Sequence, residues 1–446
     1  CSPQVSRTGA AADPARCEMA VTVWAIVFFL FFILRGSIAL GMVVSTTVYC
    51  LLKGINLEEV VETMVIGFDN QFVLLAIPLF VLSARVMNIG GITTRIFNFA
   101  DSSVGFLRGG LAHVNVVGSI IFSGMTGSAL ADASGLGMME IKAMEDGGYE
   151  RHFACAVSAA TATIGPIIPP SIPMGIFAML SGASLGNLFL GGLIPGLLMG
   201  GAMMGYIAVV AKGRNYPVGR WQGWQALGRS AAKAFLSLMT PVILLGGIYS
   251  GVFTPTEAGA AAALYAMILA MLVYREMGLQ GLYREMVATV ENVGFLSFII
   301  AGAFAFSYVV TVEGLADKIA ASVVALTTNP YILLLLLNIL FLILGCFLDT
   351  MVMMLVVIPM ILPAVKALGI DMVHFGVVII LNMMIGLCTP PYGMLLFTVS
   401  GLTKTPLGLV VREVLPFLWV LIGVLFLITY VPWIVLFLPR LVGFQG

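Results

Sequence analysis

Apolar residues fill most of this chain, without the alternation of a half-buried strand or the single stripe of a surface helix. Long apolar runs cover about 71–88, 188–211, 235–251, 255–274, 291–311 and 413–438. A bilayer core of roughly 30 Å needs about 20 helical residues, so each run predicts a membrane-spanning helix. Residues 20–53 are apolar enough for two short helices, broken near Arg35-Gly36. The first eighteen residues are small and polar, so 1–19 reads as an N-terminal extension. No signal-peptide cleavage site follows the first apolar run.

Two further apolar stretches do not make one good span each. The middle of 110–145 reads FSGMTGSALADASG (122–135), and the middle of 331–366 reads GCFLDT (345–350). Limbs of about 12–14 residues reach only roughly 20 Å. Each stretch therefore predicts a re-entrant hairpin with its tip at mid-membrane. Irregular backbone at that depth survives only inside protein or beside a wet cavity. Two helices also break. Ile164-Gly165-Pro166-Ile167-Ile168-Pro169-Pro170-Ser171 interrupts a helix over 150–183, and Ile385-Gly386-Leu387-Cys388-Thr389-Pro390-Pro391-Tyr392 interrupts one over 372–401. Proline removes a donor and clashes one turn back, so neither helix is continuous.

These features fall into two copies of one unit, 20–211 and 234–440, joined by 212–233. Gly148, Gly165, Pro169 and Pro170 match Gly369, Gly386, Pro390 and Pro391 at one offset of 221. His152-Phe153 matches His374-Phe375, Ser181-Gly182 reads against Ser400-Gly401, GGITTRI (90–96) against EGLADKI (313–319), and Asp132 against Asp349. The stretch 212–233 carries Lys212, Arg214, Arg220, Arg229 and Lys233 with no acid, which marks the cytoplasmic side. Counting spans from it puts Arg35, Arg85, Arg95, Arg108, Lys142, Arg151, Arg275, Arg284, Lys404 and Arg412 on that side too. The acidic stretch 54–70, read as a loop, suits the outside. Each copy then has an odd number of spans, so the copies are inverted about the membrane plane. Inverted repeats with interrupted helices are the architecture of secondary transporters.

Composition narrows the function. The 446 residues are 60% apolar and 9% charged, with mean hydropathy +1.09. A soluble domain carries nearer 25% charge. That excludes a soluble enzyme, a nucleic-acid binder and a disordered scaffold. The 21 basic and 21 acidic residues cancel, so no polyanionic partner is implied. Six scattered cysteines without a CxxC pair read as small apolar residues. No Walker loop, HExxH or GxSxG is present, so transport is ion-coupled or passive.

At the breaks, freed carbonyls and hydroxyls suit a hard cation such as sodium, and restarted half-helices suit an anion. A carboxylate at a hairpin tip is expensive in a membrane. Asp132 and Asp349 could ligate a cation, brace its ligands from behind, or cap the hairpin helices, and the residues leave all three open. His152 and His374 open corresponding helices and suit structural hydrogen bonds; His113 suits packing. Neither tip nor Pro-Pro break contains Arg or Lys. An anionic substrate would thus be met by helix N-termini, hydroxyls and bound cations.

The segments FSGMTGSALADASGLG, IGPIIPPSIPMGI, GIYSGVFTPTEAGAAAALYA (247–266) and GLCTPPYG resemble the large membrane subunit of TRAP (tripartite ATP-independent periplasmic) transporters, over about 20–440. The resemblance implies an all-α polytopic protein with two inverted repeats and an elevator mechanism in a bacterial inner membrane. It implies sodium-coupled import of organic acids such as dicarboxylates or sugar acids, with no cofactor beyond the coupling ions. It also implies two partners, a small four-helix membrane subunit and a periplasmic substrate-binding protein. One sodium site would use Ser123, Thr126, Gly165, Ile168 and Pro170. A second would use Gly345, Asp349, Gly386, Thr389 and Tyr392. Ser128, Asp132 and Ser171 would line the substrate cavity. The runner-up is a standalone sodium-coupled organic anion carrier with the same hairpins and no binding protein.

Overall fold

The computed structural model describes residues 14–34, 36–69, 72–89 and 91–443. Among the described residues the chain is helical throughout, apart from one isolated antiparallel bridge between Arg108 and Val218. Residues 1–13 of the predicted extension, and Arg35 at the predicted first break, lie outside the described residues. The first helix, Pro14–Ile33, starts inside the stretch read as an extension.

Helices Leu185–Gly213, Trp224–Tyr249, Pro255–Val273, Leu279–Val312 and Leu407–Tyr430 are long and apolar enough to cross a membrane, and they match five of the predicted runs. The run at 71–88 differs. A 3-10 turn, Phe72–Leu75, leads into the shorter helix Ala76–Ile89, which bends by 71° into Ile92–Val104. Pro78 sits in the first turn of that helix, where its missing amide costs nothing, and it blocks extension of the helix backwards. Large apolar side chains such as Phe29, Val209, Val242, Leu272, Val290, Phe295 and Trp419 face outward. An outer surface this apolar is a lipid-facing surface.

The predicted loop at 54–70 is instead the helix Leu57–Asp69. Val60, Met64 and Phe68 recur at a spacing of four and face the core, while Glu58, Glu59 and Glu62 stay exposed. That is an amphipathic helix, which a count of charges alone reads as a loop. Glu59 accepts a hydrogen bond from the Tyr308 hydroxyl at 2.8 Å, and Lys53 pairs with Glu313 at 2.8 Å.

The centre is built from Arg151–Ala162 and Met372–Leu387, whose residues 153–162 and 373–387 are all buried. They enter from opposite ends. His152, at the start of the first, lies 3.8 Å from Glu413, two turns into Leu407–Tyr430. His374, at the start of the second, bonds through Nε2 to the Ile428 carbonyl at 2.9 Å, near the other end of the same helix. Fifteen residues of helix separate those contacts by about 22 Å. The copies are therefore antiparallel, as inversion requires, and the His374 bond is structural.

The basic stretch 212–233 gathers one end of the molecule. Arg214 bonds Glu150 at 3.0 Å and Glu413 at 2.8 Å. Tyr216 donates to Glu150 at 3.1 Å, and burial pushes its hydroxyl up to about 12, so it stays a donor at neutral pH. Asp101 accepts from Gln222, and Arg95 pairs with Glu276 at 3.0 Å.

The structure also corrects two repeat pairings. Gly182, at φ 78°, ends the half-helix Ile172–Ser181, and its structural partner is Lys404, at φ 55°, which ends Met394–Thr403. The match is therefore Ser181-Gly182 with Thr403-Lys404, and not with Ser400-Gly401, which lies inside the helix. A left-handed C-terminal residue is normally glycine, and the lysine hid the equivalence. The second correction concerns Asp349 and is described with the site.

Candidate functional site

Each hairpin tip meets the break of its own repeat. The first hairpin runs as Gly110–Thr126, the short Ala129–Ser134 and Leu136–Asp146. The second runs as Pro330–Gly345, then Thr350–Val352, which continues through a π turn into Ile358–Ala367. The first limbs have 17 and 16 residues, longer than expected but still only about 25 Å. Thr350–Ala367 is by length and apolarity a candidate span.

Contact between tip and break is backbone-close, and glycine permits it. A Cβ on Gly165 would lie 2.4 Å from Asp132 Oδ2. A Cβ on Gly127, already at φ 61°, would lie 2.2 Å from the Pro170 carbonyl. In the second repeat, a Cβ on Gly386 would lie 2.7 Å from the Gly345 Cα. The matched glycines Gly165 and Gly386 thus mark where each tip lands. The second break also touches the first broken helix across the repeats, through Cys388 Sγ on the Ala159 carbonyl at 3.1 Å. Both Pro169-Pro170 and Pro390-Pro391 are cis.

The hydroxyls named for the two sodium sites each commit their proton to an oxygen. Ser123 donates to the Ser119 carbonyl, Thr126 to Asp132 Oδ1, and Thr389 to the Ile385 carbonyl at 2.8 Å. A hydroxyl whose proton is committed to an oxygen presents its lone pairs elsewhere, as a cation ligand must. Among the described residues, no hydrogen bond falls on the carbonyls of Gly165, Ile168, Pro170 or Gly345. Such bare carbonyls are candidate oxygen ligands for a hard cation. The Tyr392 side chain behaves differently: it is 56% exposed and packs on Phe397, with ring centroids 5.2 Å apart.

The two aspartates have different roles. Asp349 caps Thr350–Val352 by accepting from the Met351 amide at 2.8 Å. Its counterpart is Ser128, which caps Ala129–Ser134 by accepting from the Ala131 amide at 3.4 Å, and the two lie 221 apart like the matched glycines. Asp349 therefore pairs with Ser128 and not with Asp132. Asp132 is 2% exposed; one oxygen takes the Thr126 hydroxyl, and the other has no hydrogen-bond partner among the described residues. Glu140, in the same hairpin, is also buried, with neither oxygen partnered among them.

A cavity of about 530 Å³ opens beside the tips. Thr126 and Ser128 of the first hairpin, Met351 of the second and Ile172 of the first restarted half-helix line it. Arg85 and Asn88 of Ala76–Ile89 line it too, with Glu285 and Asn292 of Leu279–Val312, and Asn88 also lies against Gly135 of the first hairpin. Of the three cavity residues named from sequence, Ser128 is on the wall. Asp132 turns toward Gly165, and Ser171 is buried, capping Ile172–Ser181 through the Met174 amide at 3.2 Å. Arg85 is the surprise. The tips and breaks indeed hold no Arg or Lys, but Arg85 of Ala76–Ile89, outside both, lines the cavity. Counting spans along the chain placed Arg85 only on the cytoplasmic side.

Polar anchors missed from sequence hold each hairpin to its broken helix. Asn115 donates to Ser158 at 2.6 Å and accepts from Thr161 at 2.6 Å. Asn382 donates to the Asn338 side chain at 2.9 Å, and Asn338 donates to Thr429 at 3.0 Å. Thr161 and Asn382 are again 221 apart, a signal available in the sequence but carried by unlike residues.

Comparison with known proteins decides the family. The profile of the tripartite ATP-independent periplasmic transporter, DctM component, matches residues 23–434. The chain belongs to this family. It is 45% identical over 388 residues to the sialic acid TRAP transporter large permease protein SiaM of Vibrio cholerae, covering 87% of this chain and 90% of that protein. It is 38% identical to the sialic acid TRAP transporter permease protein SiaT of Haemophilus influenzae, over 95% of this chain and 68% of that one. It is also 38% identical to the C4-dicarboxylate TRAP transporter large permease protein DctM of Pseudomonas aeruginosa, over 84% and 88%. The crystal structure of the Alcanivorax borkumensis YdaH transporter superposes with a TM-score of 0.65 at 15% identity, over 92% of this chain and 98% of that one. That likeness is one of fold. This TRAP large permease is thus a multi-pass inner-membrane transporter subunit and not an enzyme.

Proposed function

We propose that this TRAP permease is the sodium-coupled transport subunit of a tripartite, binding-protein-dependent importer of organic acids. One observation carries the reading: each hairpin tip closes on its broken helix and leaves oriented hydroxyls beside carbonyls with no donor. Sodium at Ser123, Thr126, Gly165, Ile168 and Pro170, and at Gly345, Asp349, Gly386 and Thr389 with the Tyr392 backbone, would tie tip to break. Filling those sites would order the cavity wall around Thr126 and Ser128. Substrate and sodium then bind cooperatively, because each favours the same ordered tip.

The hairpins and broken helices would move as one body against Ala76–Ile89 and Leu279–Val312, in an elevator stroke. Its partners would be a small four-helix membrane subunit and a periplasmic substrate-binding protein. The cargoes named for the relatives, sialic acid and C4-dicarboxylates, are anions, and the same class is assigned here.

The test is uptake into liposomes holding the chain and its small membrane subunit, with an inward sodium gradient and labelled sialic acid or succinate. Uptake that needs both sodium and the soluble binding protein is expected. Uptake with sodium alone would mark a standalone carrier, and uptake indifferent to sodium would remove the coupling assignment.

A further inference from the structure

Arg85 and Glu285 line the same cavity as the hairpin tips, joined at 3.2 Å through one guanidinium nitrogen. Their side chains are 31% and 14% exposed, so neither is dissolved in bulk water and neither is sealed. A guanidinium carries five donors in a planar fork, and this contact uses one of them. Asn88 and Asn292, with amides, and Thr126 and Ser128, with hydroxyls, line the same cavity. We infer that Arg85 receives the acidic group of the cargo, and that Glu285 is the carboxylate the cargo displaces. The inference rests on the transport reading above and deepens it by naming the recognition residue.

Three physical points favour exchange over a mere brace. The contact is a single one, where a bidentate pair would be the strong form. An incoming carboxylate offers two oxygens to the fork, while Asn88 and Asn292 can satisfy polar groups beyond the acid. Both residues also belong to Ala76–Ile89 and Leu279–Val312 and neither to a hairpin, so Glu285 can reclaim Arg85 when the tip withdraws the cargo. A competing carboxylate of this kind keeps the anion from being held too tightly for release.

The two roles make opposite predictions for the two residues. If Arg85 receives the acid, Arg85→Gln raises the half-saturating concentration of sialic acid or succinate by about tenfold, the loss of one charged bidentate contact. Arg85→Lys, which keeps the charge and loses the fork, raises it by less. Glu285→Gln lowers it, because the internal competitor is gone. Uptake still requires sodium in all three.

The measurement is initial uptake against acid concentration in the complete tripartite system, with melting of each purified variant recorded alongside. A structural brace would make Arg85→Gln and Glu285→Gln act in the same direction, lowering melting and maximal rate together. That result overturns the inference and leaves sodium-driven transport standing. Wild-type liposomes that take up neither acid would instead overturn the cargo assignment, and the inference with it.

Discussion

Gly165 and Gly386 show how a single atom sets this site. Each lies where a hairpin tip reaches a broken helix, and each would drive a Cβ into an atom with little room to yield. Gly386→Ala meets the Gly345 backbone and is expected to destabilise the fold by about 1–3 kcal/mol, the usual cost of overpacking. A lower melting temperature in detergent checks it; an unchanged one would mean the tip does not close on the break. Hydroxyl losses should act differently. Ser123→Ala and Thr389→Ala remove a lone-pair donor and a local helix bond, so each should weaken sodium dependence with melting nearly unchanged. Full sodium-driven uptake in both variants would remove these residues from the sites. The family resemblance could name Ser123, Thr126 and Thr389 because they fall in its tip and break motifs. It could not name Arg85, whose helix reaches the cavity only by packing, nor separate the roles of Asp132 and Asp349.

Hairpins and broken helices are the working elements, and buried amides fasten one to the other. Asn382 and Asn338 link the second hairpin to its broken helix and on to Thr429. Replacing Asn382 with Leu removes a donor and leaves Asn338 short of a partner, which should cost about 1–3 kcal/mol. Melting should fall, and sodium should protect the variant less than the wild type, because the tip is no longer aligned. Unchanged melting and protection would show that the amide network is dispensable. The breaks were legible from proline chemistry alone, but limb length was a weaker guide to the hairpins, since Thr350–Ala367 is long and apolar enough to span. Element bounds were less legible. Leu57–Asp69 is helical because three apolar residues spaced by four find a core to face, and that core is built by helices far along the chain.

At the scale of the whole molecule, one cavity is lined jointly by the hairpins and by Ala76–Ile89 and Leu279–Val312. If transport is an elevator stroke, a covalent tie across that cavity should stop it. Ser128→Cys with Asn292→Cys, joined by a flexible bifunctional thiol reagent, should abolish uptake until a cleavable tether is reduced. Free cysteines at Cys50, Cys155, Cys346 and Cys388 require a parallel sample with neither new thiol. Uptake that continues in the tethered protein would exclude relative motion of the first hairpin and Leu279–Val312.

The sequence by itself determined that this chain lives in a bilayer, that it is two copies of one unit, and where the helices break. Those features follow from local chemistry: apolar length against membrane thickness, proline against helix continuity, and a fixed spacing of glycine and proline. Tertiary structure decided which tip meets which break, that Asp349 answers to Ser128 as a helix cap, and that Arg85 pairs with Glu285, 200 positions away. No local pattern encodes them, because they arise only when the inverted copies pack and bring opposite ends of the chain to one cavity.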